Sequence, residues 1–237
     1  MNFDLISDLY IEHWPEDIKW DGLGTSLLAV VAGDVSSDVD RVVWELKNIA
    51  SAYKQTIYIE GDLEHSETGW PSAEVHTYLK SKISRIPNCI YLHDNVVIFD
   101  HLAFIGANLW WVPVIQPDQN WEEFALKLRG HKVDLDYLKA SVGRMQRAHD
   151  VTNVCLVSHT VPNLELTSAY GDYLERGCHA SEEVLACDVK NKVKTWCFGH
   201  APETIDYTAG EVRYVSNPRG TPETAERLSY FPLRVQI

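Results

Sequence analysis

The sequence predicts an α/β layered fold, and three observations carry that prediction. Over its first sixty residues the chain reads strand, strand, helix, strand, the alternation of a layered α/β domain. Some strands are continuous apolar runs, such as "LLAVVAG" (27–33), which suits strands buried on both faces. A chain of 237 residues, 45% hydrophobic and 23% charged, is globular in composition and can bury a substantial core in a single domain spanning 1–237.

Each element has its own signature. "MNFDLIS" alternates and forms the first strand, and "LLAVVAG" forms the second. Residues 38–53 put Val39, Val42, Val43, Leu46, Ile49, Ala50 and Tyr53 on one helical stripe, with Asp38 or Asp40 placed to cap its start. "TIYIE" is the third strand, and 72–84 reads as a helix. "CIYLHDNVVIFDHLAFIGA" (89–107) predicts a meander of three short strands with polar turns at 93–95 and 100–101. Helices are expected over 119–129 and 133–149, then a buried strand in "NVCLVSH". The mixed stretch 163–190 predicts a helix near 180–190, and "VKTWCFGH", "ETIDYTAG" and "EVRYVSNPRG" close the chain as strands. "GLGTS" (22–26) lacks the GxGxxG pattern and reads as a turn. No internal repeat, low-complexity tract or linker supports a domain boundary.

Composition also excludes function classes. A formal net charge of −13 argues against nonspecific binding of nucleic acid, whose backbone it repels. A small phosphate ester held at a bound cation stays compatible, because the field of a divalent ion overrides the global charge locally. Cys89, Cys155, Cys178, Cys187 and Cys197 are odd in number and form no CxxC, which predicts reduced thiols and a cytoplasmic setting. "MNFDLISDLY" has no basic segment or long apolar stretch of the kind a signal peptide needs. The most apolar long window, 96–115, contains Asp100, His101 and Asn108 and reads as two core strands joined by a turn, not as a membrane span.

The chemistry gathers at strand ends. Five predicted strands stop at a residue able to bind a metal or carry a proton: Asp8, Asp34, Asp62, His159 and His200. Ligands of α/β folds collect beyond the carboxyl ends of strands. Three carboxylates and two imidazoles converging there would suit a borderline divalent metal such as Zn, Mn or Fe. Each residue alone is an ordinary polar strand terminus; five in the same structural position are what single out the set. The chain has no GxxxxGK loop, no GxSxG elbow and no HExxH pair. Trp110, Trp111 and Trp121, with Pro113 and Pro117, form an aromatic segment that reads as packing more than as a pocket wall.

The order of these residues resembles the calcineurin-like metallophosphoesterases. That family runs D-x-H, GD, GNH(D/E), H, GHxH. Here "SDLYIE" (7–12) looks like its SDLHLE, "GDLE" (61–64) like its GNHE, "VSHTVP" (157–162) like its THHAP-type strand end, and Gly199-His200 opens the last motif. "FIGANLWW" (104–111) and "SNPRG" (216–220) are also similar to segments of one bacterial and phage-type branch, so the resemblance covers nearly the whole chain. It implies a four-layer α/β/β/α sandwich with two central mixed sheets. It also implies a phosphoesterase that cleaves a mono- or diester through a metal-bound hydroxide, the two-metal clamp being the family's arrangement.

This chain departs from the pattern at four positions: Tyr10 stands for the His of D-x-H, Asp62 for the Asn and Leu63 for the His of GNH, and Pro202 for the last His of GHxH. By the resemblance, one metal position keeps only Asp8 and Asp34, while the other keeps Asp34, Asp62, His159 and His200. The expectation is therefore one divalent ion (Mn, Zn or Fe) beside a compromised second position, with a small phosphorylated substrate or ligand as partner and no membrane. Leu63 removes the family's general acid and leaves no residue assigned as catalytic; a positioned general acid is worth about 10²–10⁴ in rate. Glu64 is expected to support the loop or a metal ligand, and His65 reads as a solvated loop histidine. The alternative is a catalytically inactive family member acting as a binding or regulatory protein.

Overall fold

The computed structural model describes residues 1–110, 121–163, 165–166, 180–225 and 229–237, without the side chains of 121–124 and 126–127. In chain order the elements are β1 (Asn2–Ile6), β2 (Leu28–Ala32), α1 (Val39–Ala52), β3 (Gln55–Ile59), α2 (Leu63–Ser66), α3 (Ser72–Ile83), β4 (Cys89–Tyr91), β5 (Asn95–Phe99) and β6 (Leu102–Gly106). They continue with α4 (Trp121–Met145), β7 (Asn153–Val157), α5 (Ala180–Leu185), β8 (Val193–Phe198), β9 (Ile205–Ala209), β10 (Val212–Ser216) and β11 (Leu233–Gln236).

Two mixed sheets stand at the centre. The first has the order β11-β1-β2-β3-β4, with β1 to β4 parallel and β11 antiparallel at the edge. The second has the order β5-β6-β7-β8-β10-β9, with β6, β7, β8 and β10 parallel between two antiparallel edge strands. Three apolar layers account for the stacking. Phe3, Leu5, Val30, Ile57, Phe104, Val157 and Val215 fill the space between the sheets, where the rings of Phe3 and Phe104 meet edge to face at 5.4 Å. Alternate residues of the first sheet face α1 and α3, as Val31 and Tyr58 pack with Val42, Leu46 and Leu79. On the far side, Ile105, Leu156 and Trp196 pack with Leu135, Leu138 and Val142 of α4 and Val184 of α5. The result is the α/β/β/α sandwich that the sequence predicts.

Local details follow the residues. Asp38 caps α1, its carboxylate accepting from the N–H groups of Asp40 and Arg41. The turn at 22–26 is anchored on buried Asp4, which accepts from the N–H groups of Thr25 and Ser26, the Thr25 hydroxyl and the Tyr53 hydroxyl. Cys89, Cys155, Cys187 and Cys197 are free thiols. Among the described residues no helix is long and apolar enough to cross a membrane.

Two expectations are corrected. Residues 89–107 are not one meander: β4 joins the first sheet, β5 and β6 pair in the second, and 92–94 cross between them. The helices expected at 119–129 and 133–149 are a single α4, its described part starting at Trp121. At Gly130, in the gap between the two expected helices, Trp110 packs on the helix: a Cβ at that position would stand 3.0 Å from the indole. The helix near 180–190 is confined to α5, and β11 and α2 are short elements the sequence pattern did not reveal. Trp111, Pro113, Pro117, Cys178, the side chain of Trp121 and most of 163–179 lie outside the described residues.

Candidate metal centre

The parallel strands deliver their carboxyl ends to one edge, and the chain turns sharply there. Asp34 follows β2 through Gly33, Asp62 follows β3 through Gly61, His159 follows β7, and His200 follows β8 through Gly199. Asp8, Tyr10, Asp34 and His200 all have left-handed backbone, with φ between 45° and 56°, four of eight such non-glycine residues among those described. Such conformations cost on the order of 1–3 kcal/mol each and persist where surroundings fix them. Gly61 is required by close approach, since a Cβ there would overlap the Asp34 carboxylate and stand 2.7 Å from the Asp34 nitrogen.

Four side chains converge. One donor atom from each of Asp34, Asp62, His159 and His200 lies within 4.8 Å of all the others. The buried His159 ring sits in the middle: its Nδ1 is 2.8 Å from the Ala32 carbonyl, which can only accept, so Nδ1 carries the proton. That aims Nε2 at the Asp34 Oδ1 (3.2 Å), the Asp62 Oδ1 (3.0 Å) and the His200 Nδ1 (3.2 Å). The His200 Nδ1 is in turn 2.8 Å from the Asp62 Oδ1. Two acid oxygens and two imidazole nitrogens facing one another call for a positive charge between them. Without a metal His159 supplies it: burial would lower its pKa, but Asp34, Asp62 and Asp8 outweigh burial and raise it well above the usual imidazole range. Burial likewise works to raise the Asp62 pKa, but His159 and His200 hold that carboxyl well below the usual range. A divalent cation satisfies all four groups at once, and a mixed N/O donor set fits Zn, Mn or Fe. A carbonyl fixing the tautomer of a ligand histidine is the usual support of such centres.

The remaining expected residues surround this set. Asp8 stands beside it and not in it: its Oδ1 accepts from the His200 N–H (2.9 Å), while its buried Oδ2 has no hydrogen-bond partner among the described residues. Burial, then the charge of Asp34, pushes the Asp8 pKa up to about 7, with His159 opposing. The Tyr10 hydroxyl donates to the Asp34 Oδ2 at 2.9 Å, and burial together with Asp34 and Asp8 drives the phenol's pKa upward, so it keeps its proton. A phenol proton thus occupies the second Asp34 oxygen. Glu64 is the support the sequence predicted, accepting from the N–H groups of Val35 (2.8 Å), Gly61 (2.8 Å) and Asp34 (3.2 Å). Burial, then Asp34, pushes its pKa up to about 8 against the pull of these donors. The Leu63 N–H donates to the Asp34 Oδ1.

His65 corrects the sequence reading. It lies on α2, not in a solvated loop. Both ring nitrogens are buried without a hydrogen bond among the described residues, and the ring meets His76 and Trp110 edge to face at 5.2 and 5.0 Å. Trp110 packs, as expected, but against this histidine. Asn108 was missed as a site residue. Its carbonyl accepts the N–H groups of His159 and Thr160, and its amide donates to the Glu60 carbonyl, so it ties the two sheets together at this edge. The only sequence signal was an amide at a strand end in "FIGAN".

Comparison with known proteins places the fold. Phosphopantetheinyl hydrolase from Mycobacterium tuberculosis superposes with a TM-score of 0.73 at 14% identity, over 100% of this chain and 95% of its own. A Staphylococcus aureus protein assigned as a 5′-nucleotidase matches with a TM-score of 0.55 at 15% identity, over 93% of this chain and 49% of that one. An inner-membrane-complex anchor of Plasmodium matches with a TM-score of 0.54 at 11% identity, over 98% of this chain and 76% of that one. No family model matches the chain. In sequence, an uncharacterized protein of Acanthamoeba polyphaga mimivirus is 25% identical over 122 residues, 44% of this chain and 42% of that protein, so the chain spans less than half the length of this curated relative. These likenesses show the fold.

Proposed function

We propose that this chain is a metal-dependent phosphoesterase of the calcineurin-like superfamily, cleaving a phosphate mono- or diester at a cation held by Asp34, Asp62, His159 and His200. The observation that carries the reading is the convergence of those four donors at the carboxyl edge of both sheets. The fold shared with phosphopantetheinyl hydrolase and with a protein assigned as a 5′-nucleotidase supports it. A divalent ion bound there would polarise a phosphoryl oxygen and lower the pKa of a water. The chain's own contribution is to fix the donors. Ala32 orients His159, Gly61 lets Asp62 approach Asp34, and Tyr10 takes the remaining Asp34 oxygen, which favours one ion over two. With leucine at position 63, no side chain from that position can protonate a leaving group, so esters with good leaving groups are the preferred substrates.

The test is metal analysis of the full chain together with hydrolysis of an aryl phosphate monoester and diester in added Mn(II). Turnover and one equivalent of bound metal in the wild type, both lost in His159→Ala and in His200→Ala, are the expected result. Turnover no higher than in those variants would leave the binding-protein reading, a use compatible with a fold that also occurs in the Plasmodium anchor.

A further inference from the structure

On the other side of Gly61 from Asp62 lies a second convergence of donors. Glu60 ends the β3 segment, His65 is on α2, His76 on α3 and His93 in the crossover between the sheets. One donor atom each from Glu60, His65 and His76 lies within 4.8 Å of the others. His93 completes the group, stacked on His76 at 3.9 Å between centroids. We propose that Glu60, His65 and His76, flanked by His93, form a second site for a borderline divalent cation, distinct from the Asp34, Asp62, His159 and His200 centre.

The group is buried, and its pairing is incomplete. Glu60 is fully buried, and the Nδ1 atoms of His76 and His93 both stand 2.9 Å from its Oε1, each an ion pair when the ring is protonated. Both His65 nitrogens are buried without a hydrogen bond among the described residues. Leaving a buried polar atom unpaired costs about 1–3 kcal/mol. Carboxylate oxygens and imidazole lone pairs that face one another are satisfied by a shared positive charge, a ring proton or a metal cation, and a cation serves all three groups at once. Donors bonded at about 2.0–2.2 Å to a tetrahedral ion stand roughly 3.3–3.6 Å apart, so donors as far as 4.8 Å from one another close by up to about 1.2–1.5 Å on binding. The carboxylate-plus-imidazole set suits Zn, Fe or Mn.

The surroundings are those of a built site. Asn108 fixes the Glu60 backbone through its carbonyl, and the Tyr91 hydroxyl stands 3.0 Å from the His76 Nδ1. The Trp110 indole closes over His65. Asp94 lies 3.8 Å from the His93 Nε2, and Asp134 sits behind Leu109.

Zinc stoichiometry tests the proposal without relying on activity. The His159→Ala/His200→Ala double variant, folded by circular dichroism, is loaded with Zn(II), desalted and analysed by mass spectrometry. One zinc per chain is expected, and no zinc overturns the second site while leaving the first reading intact. Adding His65→Gln and His76→Gln to that variant should remove the remaining zinc; retention would place the ion elsewhere and overturn the assignment. Should the double variant not fold, His65→Gln alone decides, because it removes no hydrogen bond from the fold. Titration with Zn(II) should then show one of two equivalents weakened by more than the roughly 10–100-fold lost with an outer-shell partner, and an unchanged isotherm refutes the site.

Discussion

The two donor clusters on either side of Gly61 are built in opposite ways. In the first, every donor follows directly from a strand end, and the main chain fixes its aim: the Ala32 carbonyl holds His159, the Asp8 carboxylate holds the His200 N–H, and Glu64 collects three N–H groups beneath Asp34 and Gly61. In the second, the donors come from the residue after β3, two helices and a crossover, and the Asn108 side chain holds the Glu60 carbonyl. The first cluster is therefore a property of the sheets. The second is a property of how helices pack over them, and it should tolerate displacement less well in its donors and better in its backbone.

The largest effect that separates these two constructions is expected from Gly61→Ala. A Cβ there would overlap the Asp34 carboxylate and lie 2.8 Å from the His159 Cε1. Asp34 and His159 must then give way, so the first cluster should lose its cation outright while the second loses affinity only in part. Overpacking adds about 1–3 kcal/mol of destabilisation. Zinc stoichiometry and thermal unfolding read both effects, and equal loss at the two sites breaks the contrast.

Glu64→Gln probes the main-chain support of the first cluster alone. At about pH 9 Glu64 is ionised, and three N–H groups converge on its two oxygens. An amide offers one acceptor and turns two donors toward donors, which costs about 1–3 kcal/mol. For a chain of this size that is a fall in Tm of roughly 2–12 °C, with binding at Glu60, His65 and His76 unchanged. A Tm within about 1 °C of wild type would show that the strand ends hold their shape without the carboxylate.

How much of this was legible differs between the clusters for the same physical reason. Strand ends declare themselves: an apolar run and an acid or imidazole are contiguous in sequence, so Asp8, Asp34, Asp62, His159 and His200 could be named as metal-binding candidates without coordinates, of which the last four converge and Asp8 stands beside them. The alternation of strands and helices likewise pointed to a layered α/β fold, and the family resemblance implied its four layers. What the sequence could not show is side-chain convergence across elements. His65, His76 and His93 are separated by stretches that carry no common signature, and His65 looked exposed because α2 is a single turn with no periodicity to read. The continuity of α4 was hidden for a related reason, since Gly130 falls in the gap between the two expected helices and its contact with Trp110 lies across elements. β4 was placed in the wrong sheet because strand pairing is decided by β3, far away in sequence.

The smallest expected effect concerns the second cluster's buried neighbour. Asp134 is 4% exposed and accepts the Leu109 N–H at 2.8 Å, one donor where Glu64 has three. Burial raises its pKa to about 7, with His93 opposing. The folded chain therefore keeps a proton on Asp134 that the unfolded chain releases near pH 3.9. Where the folded state holds more protons, stability falls as pH rises, so this contribution is complete below about pH 4 and is lost through pH 7. Asp134→Asn keeps an acceptor for Leu109 and removes the titration. From about pH 6 to about pH 7.5 the wild type should lose about 1 kcal/mol relative to the variant, read by denaturant unfolding. Parallel curves would mean that Asp134 is already ionised at pH 6. The second cluster would then be surrounded by one more negative charge than its geometry implies, and its attraction for a cation would be greater than the comparison with the first cluster suggests.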